Sequence, residues 1–119
     1  MTENNNKKWS LAHIGINAED EAKALAAADI LAQAFGFEVC DGKTSVFSGG
    51  VIEIMKGCGV GKHGHIAFRV DSISEEIEVL EKRGVVFDYA HFKYHENGKI
   101  AAAYFDMEVA GFCIHLVED

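Results

Sequence analysis

Proline is absent from all 119 residues, and tryptophan occurs once, at Trp9. A chain without proline has no Pro-rich linker and no PxxP docking segment. Cysteine is sparse as well. Cys40, Cys58 and Cys113 make an odd number with no CxxC spacing, which argues against a disulfide scaffold and fits a reducing, cytoplasmic setting. Long apolar runs are missing: residues 22–35, the most apolar stretch, are interrupted by Lys23, Asp29 and Gln33. That stretch is too short and too polar to span a bilayer. Positive charge is also scarce, with 11 Lys and Arg against 19 Asp and Glu, a net charge of −8 and a pI near 5.1. Such a surface repels phosphate backbones and anionic headgroups, so neither nucleic acid nor membrane is the expected partner.

What is present suits one globular domain. Hydrophobic residues make up 49% of the chain, enough for a core at this length. Residues 1–10 are polar and Asn-rich with no apolar stretch behind them, so they read as a disordered tail rather than a secretory signal. From residue 11 the pattern is periodic. Residues 11–16 alternate as a half-buried strand does. Asn17 and the acidic run Glu19-Asp20-Glu21 then supply a cap and a negative first turn for a helix. Its buried face is Ala24, Ala28, Leu31 and Phe35, and Gly36 stops it. Three short strands follow, at 37–40, 43–47 and 51–55, divided by Asp41-Gly42 and Gly49-Gly50.

The same order then begins again. Residues 65–70 alternate as a strand, and Ser72-Ile73-Ser74-Glu75 fits a capping box for a helix whose face is Ile73, Ile77 and Leu80. Strands are expected at 85–94, 99–105 and 112–117, the first two joined around Asn97-Gly98. The reading is an α+β domain over 11–119, built of two βαβββ modules (11–56 and 64–118) joined by the glycine-rich linker 57–63. A module of this size buries too little surface to stand alone, so the halves pack together or against a second chain.

Four polar residues hold equivalent places in the repeat: His13, Glu53, His65 and His115. Each lies mid-strand beside core-like residues, Ile14, Ile52 and Ile54, Ile66, and Ile114 and Leu116. Side chains alternate across a strand. If the aliphatic neighbours pack under the helices, three imidazoles and a carboxylate point to the opposite face. A single histidine beside apolar residues is an ordinary core residue; four such donors on one face are a ligand set for Zn, Ni, Co, Mn or Fe as divalent ions.

The runs Leu11-Ala12-His13-Ile14-Gly15-Ile16, Val51-Ile52-Glu53-Ile54, Gly64-His65-Ile66-Ala67-Phe68 and Gly111-Phe112-Cys113-Ile114-His115-Leu116 resemble the ligand strands of the glyoxalase, bleomycin-resistance and extradiol-dioxygenase (vicinal oxygen chelate) superfamily. The resemblance covers about residues 11–118. It implies a curved eight-stranded mixed sheet around a metal cup, often in a homodimer, with His13, Glu53, His65 and His115 as the ligands. It also implies Lewis-acid chemistry on a small-molecule substrate. Glyoxalases and epimerases of that family carry Glu where this chain has His115, which argues against lactoylglutathione lyase activity. A narrower likeness, through Ile52-Glu53-Ile54-Met55-Lys56, Arg83-Gly84, Gly98-Lys99 and Gly111-Phe112-Cys113-Ile114-His115-Leu116-Val117, is to the glyoxalase-like domain attached to some bacterial 2-keto-3-deoxy-6-phosphogluconate/4-hydroxy-2-oxoglutarate aldolases. It implies a small oxo- or hydroxy-acid substrate in lyase- or isomerase-type chemistry. The alternative it implies is a non-catalytic small-molecule-binding or dimerisation module of that aldolase pathway.

Within this reading Glu53 and His115 are the candidates to move a proton. Asn17 and Arg69, each four residues beyond a ligand histidine on the same strand face, are the candidates to orient substrate. Tyr89, His91, Lys93 and His95 alternate along an expected strand and read as a solvated or dimer-facing edge.

Overall fold

The computed structural model describes residues 9–118. The expected tail therefore lies outside the described residues as far as residue 8, while Trp9 and Ser10 already belong to the first strand. The first module runs β1 (Trp9–Asn17), α1 (Glu21–Phe35), β2 (Val39–Asp41), β3 (Ser45–Ser48) and β4 (Ile52–Met55). The second runs β5 (Gly64–Val70), α2 (Ile73–Lys82), β6 (Lys93–Tyr94), β7 (Ile100–Val109) and β8 (Phe112–Glu118). All eight strands form one mixed sheet in the order β2-β3-β4-β1-β5-β8-β7-β6. β1 pairs β4 in parallel, β5 pairs β8 in parallel, and the antiparallel β1–β5 pair joins the halves at the centre. The two halves thus repeat one topology about the sheet's midline. Among the described residues no helix is long and apolar enough to cross a membrane.

The helix ends follow local chemistry. Asp20 caps α1, its carboxylate accepting the Lys23 N–H at 2.8 Å, while Asn17 stays in β1. Gly36, at φ 72°, turns the chain out of α1 and donates its N–H to Ala32 O, a conformation that favours glycine. Ser72 caps α2 by accepting the Glu75 N–H.

Both helices cover one face of the sheet. Ala24 and Ala28 bring α1 close to Val46 and Ile54, with Leu31 packed against that cluster. Phe35, expected on the same face, instead lies largely exposed against Phe37 where the helix runs out. Under α2, Ile73 and Ile77 meet Val70, Phe87, Phe92, Ala103 and Leu116. Of the aliphatic neighbours of the four polar positions, Ile52, Ile54 and Leu116 pack into these cores.

Segment 85–94 departs from its expected strand. Phe87 makes a single bridge to Phe105, a 3₁₀ turn takes Tyr89–His91, and only Lys93–Tyr94 pair with β7. The aromatic run has another outlet: Tyr89 and Phe92 pack at 4.7 Å, a contact that a pleated ribbon would separate, while Phe87 packs edge-on to its bridge partner Phe105 at 5.2 Å. Asp88 fixes the turn by bonding the His91 ring at 2.6 Å.

Ile73 has no exposed surface, so truncation there leaves a cavity. Ile73→Ala is expected to cost about 2–5 kcal/mol in urea unfolding, whereas Ile30→Ala, at 66% exposure, should stay within about 0.5 kcal/mol.

Candidate metal centre

Strand register assembles the site on the face away from the helices. Glu53 lies beside Gly15 across the β4–β1 pair, Gly15 beside His65 on β5, and His65 beside Cys113 on β8. In the next row His13 lies beside Ala67, Ala67 beside His115, and His115 beside Tyr104 on β7. A bulge at Ala12 sets this arrangement, because Leu11 pairs with Phe68 while His13 pairs with Ala67. One extra residue thereby turns His13 to the cup face while Leu11 shares the face of Phe68.

All four residues singled out for metal binding come together within one chain. One ring nitrogen from each of His13, His65 and His115 lies within 4.8 Å of the others. Glu53 Oε1 sits 3.1 Å from His65 Nε2 and 3.5 Å from His13 Nε2. The other carboxylate oxygen, Oε2, accepts a 2.8 Å hydrogen bond from Ser45 Oγ. Tyr104 stacks on His115 with ring centroids 4.7 Å apart, and Phe47 meets His13 edge-on.

Gly15 is the residue that admits the His65 ring. A Cβ built there would overlap the ring atoms, so any side chain at 15 displaces His65 from Glu53. A glycine inside a strand is a sign of such close approach. Ser45 and Tyr104 carry no comparable signal, since their roles depend on which residues the sheet sets beside them.

The electrostatics favour neutral donors. Burial, then the neighbouring His65 and His13, hold the His115 imidazole down to about 3. His13 is lowered too, chiefly by burial. Glu53 is held below the usual carboxylate range, first by its bond to His65 and then, against the opposing effect of burial, by Ser45. His13 and His115 are therefore neutral donors at neutral pH, beside an ionised Glu53. Among the described residues, His65 Nδ1 and His115 Nδ1 are buried without a hydrogen-bond partner, leaving ring nitrogens open to another ligand. Three imidazoles and one carboxylate fit a first-row divalent ion.

A cavity of about 600 Å³ opens over these groups, lined also by Met55, Val60, Lys93 and Tyr104. Asn17 and Arg69 are not among its lining residues. The Asn17 amide holds the linker, donating to Gly61 O at 3.0 Å and accepting the Gly59 N–H at 3.1 Å. Arg69 lies on β5 between Ser10 and Val117, near enough for its charge to oppose protonation of His13. Lys93, read from sequence as an outer edge residue, lines the cavity. Cys58 lies on its wall as well, and neither it, Cys40 nor Cys113 is in a disulfide.

Between about pH 3 and 6.5 the unfolded chain binds a proton at residue 115 that the folded chain refuses. Stability of the chelator-treated protein is therefore complete above about pH 6.5 and falls as pH drops through that window. His13 acts in the same direction, and Glu53 adds its loss below about 4.5. Urea midpoints should decline from neutral pH to about pH 5, and His115→Leu should flatten that slope. Equal slopes in the two proteins would contradict the assignment.

No protein-family profile and no curated protein matches the sequence. Solved structures do match. A hypothetical protein from Bacillus halodurans superposes with a TM-score of 0.65 at 19% identity, over 95% of this chain and 96% of its own. A methylmalonyl-CoA epimerase in complex with methylmalonyl-CoA and ammonium gives 0.62 at 16% identity, over 95% and 96%. The methylmalonyl-CoA epimerase of Mycobacterium tuberculosis gives 0.61 at 17% identity, over 91% and 86%. At such low identity the likeness speaks for architecture alone: the chain has the glyoxalase-like fold of paired βαβββ modules.

Proposed function

We propose that this chain is a metal-binding protein of the vicinal oxygen chelate type, acting on a small oxo- or hydroxy-acid by lyase- or isomerase-type chemistry. The observation that carries this reading is the convergence of His13, His65 and His115 beside Glu53 on the wall of an open cavity. These four residues would hold the ion. When bound, a divalent ion supplies Lewis acidity toward paired substrate oxygens.

The chain's own groups divide the remaining work. Glu53 is ionised at neutral pH and, among the described residues, is the one carboxylate on the cavity wall, so it takes the substrate proton. Ser45 fixes Oε2 and leaves Oε1 toward the imidazoles and the cavity. His115, deeply buried and weakly basic, serves better as a neutral donor than as a proton carrier. Tyr104 holds its ring plane by stacking. The likeness of residues 52–56 and 111–117 to the aldolase-linked domains supports an oxo-acid head on the substrate. The working form in this reading is a cytoplasmic homodimer, supported by exposed apolar side chains such as Ile30 and Phe35.

Protein prepared without a His-tag should hold about one divalent ion per chain, lost in His13→Ala and His65→Ala. Adding the ion to chelated protein should raise stability by about 2.7 kcal/mol at a hundredfold excess over Kd. Absence of ion uptake would end the proposal. One observation favours a second reading, a non-catalytic binding module: among the described residues the cup contains a single carboxylate. Glu53→Gln decides between them. It should retain the ion and lower turnover about 10²–10⁴-fold if Glu53 is the base. Ligand binding with no turnover by the wild type, across oxo- and hydroxy-acids, would favour the module.

A further inference from the structure

Lys93 stands where the cup meets a second cavity, of about 430 Å³, lined by Asp88, His91, Asp106 and Glu108 among others. Lys93, Tyr104 and Val60 line both cavities, and among the described residues Lys93 is the one lysine or arginine on either wall. No hydrogen bond or ion pair engages its ammonium among the described residues, in contrast to Lys56, which Asp41, Glu21 and Gly42 hold from three sides. Its position is fixed by pairing of Lys93 with Ala102 and of Ala102 with Val117, two residues along β8 from His115. Two strand spacings, about 10 Å, separate the backbones of Lys93 and β8. The lysine charge is still felt at His115, where it opposes protonation.

That placement fits a particular ligand. A compact chelator carries its own negative charge to the ring cluster and leaves Lys93 unpaired. A chelator with a second anionic group a few bonds away reaches the ammonium while its head stays at the cluster. Beyond Lys93 the wall turns acidic at Asp88, Asp106 and Glu108, so a long polyanionic tail on that side meets like charge. We propose that Lys93 is a specificity residue that binds the second anionic group, carboxylate or phosphate, of a short oxo- or hydroxy-acid with two anionic groups (below, the dianion). The proposal rests on the metal-cup reading above and names its substrate class. Tyr104, kept a neutral hydroxyl by burial, is the polar neighbour on the same wall.

Calorimetric binding to protein loaded with Co²⁺ or Zn²⁺ tests this without any assay of turnover. The carboxylate arm compares 2-oxobutyrate with 2-oxoglutarate; the phosphate arm compares glycerate with 3-phosphoglycerate. Wild type should prefer the dianion of at least one pair by about tenfold or more, the size of a charge-assisted pair, and the arm that shows it identifies the anion. Lys93→Ala and Lys93→Gln should abolish that preference, Lys93→Arg should retain most of it, and Lys93→Glu should reverse it. Ion affinity, titrated separately, should stay within about twofold in every variant, since Lys93 is not among the converging donors. Wild type that takes up no ion overturns the cup reading and this inference together. Wild type that takes up the ion but shows no dianion preference in either arm overturns this inference alone. So does Lys93→Ala with the preference intact.

Discussion

Two strand positions without bulk, Gly15 and Ala67, decide whether three imidazoles can share one point. His13 and His115 belong to strands that flank β5, and Ala67 lies between them in the row. Backbones two strands apart are about 10 Å from each other, yet the two ring centroids approach to 5.8 Å. The rings must therefore lean inward over Ala67. The second row works alike: Glu53 and His65 lean toward each other over Gly15, where even a methyl group would meet the His65 ring. A bulky side chain at either place would prop the donors upright and apart.

Inward leaning has an electrostatic consequence. The three rings lie edge-on or tilted with centroids within 6 Å of one another, and burial and the neighbouring imidazoles oppose protonation of His13 and His115. A net charge of −8 favours cationic histidines, but burial outweighs that distant field at His115. The neutral state suits ligands. It also burdens the fold at low pH, and the two helix-covered cores on the opposite face must carry that cost. Ile54 and Leu116, adjacent in sequence to Glu53 and His115, belong to those cores, so the same alternation that builds the cup also anchors it.

Much of this was legible in the residues. The repeated strand-helix-strand order, the two capped helices and the four polar positions all follow from alternation, caps and turn glycines, signals carried by near neighbours in the chain. What escaped detection depends on residues brought together from afar. Segment 85–94 has strand-like composition, and the packing of Tyr89 on Phe92 goes with the 3₁₀ turn that interrupts it. That turn removes the alternation of Tyr89, His91, Lys93 and His95 and leaves Lys93 facing the cup. Asn17 lies on a strand leading from the site, but nothing local reveals that the linker passes within reach of its amide. The roles of Ser45 and Tyr104 are likewise matters of lateral pairing.

The repeat also explains how one cup can have unlike sides. Residues 12–16 align with 64–68 and residues 51–55 with 113–117, which makes His13 equivalent to His65, Gly15 to Ala67 and Glu53 to His115. Each module therefore contributes a histidine from its first strand and a donor from its last, with the small residue of one module lying beside the histidine of the other. The backing residues differ. In the first module Ser45 on β3 supports Glu53 through a hydrogen bond, which keeps a carboxylate ionised and able to exchange a proton. In the second, Tyr104 on β7 stacks on His115, whose ring burial keeps neutral. Lys93, beyond that tyrosine, adds positive charge to the second side only. Under the proposed function, the difference between the two halves separates proton transfer from anion recognition across one set of histidines. A perfectly symmetric pair of modules could not make that separation, because any charge placed on one wall would be duplicated on the other.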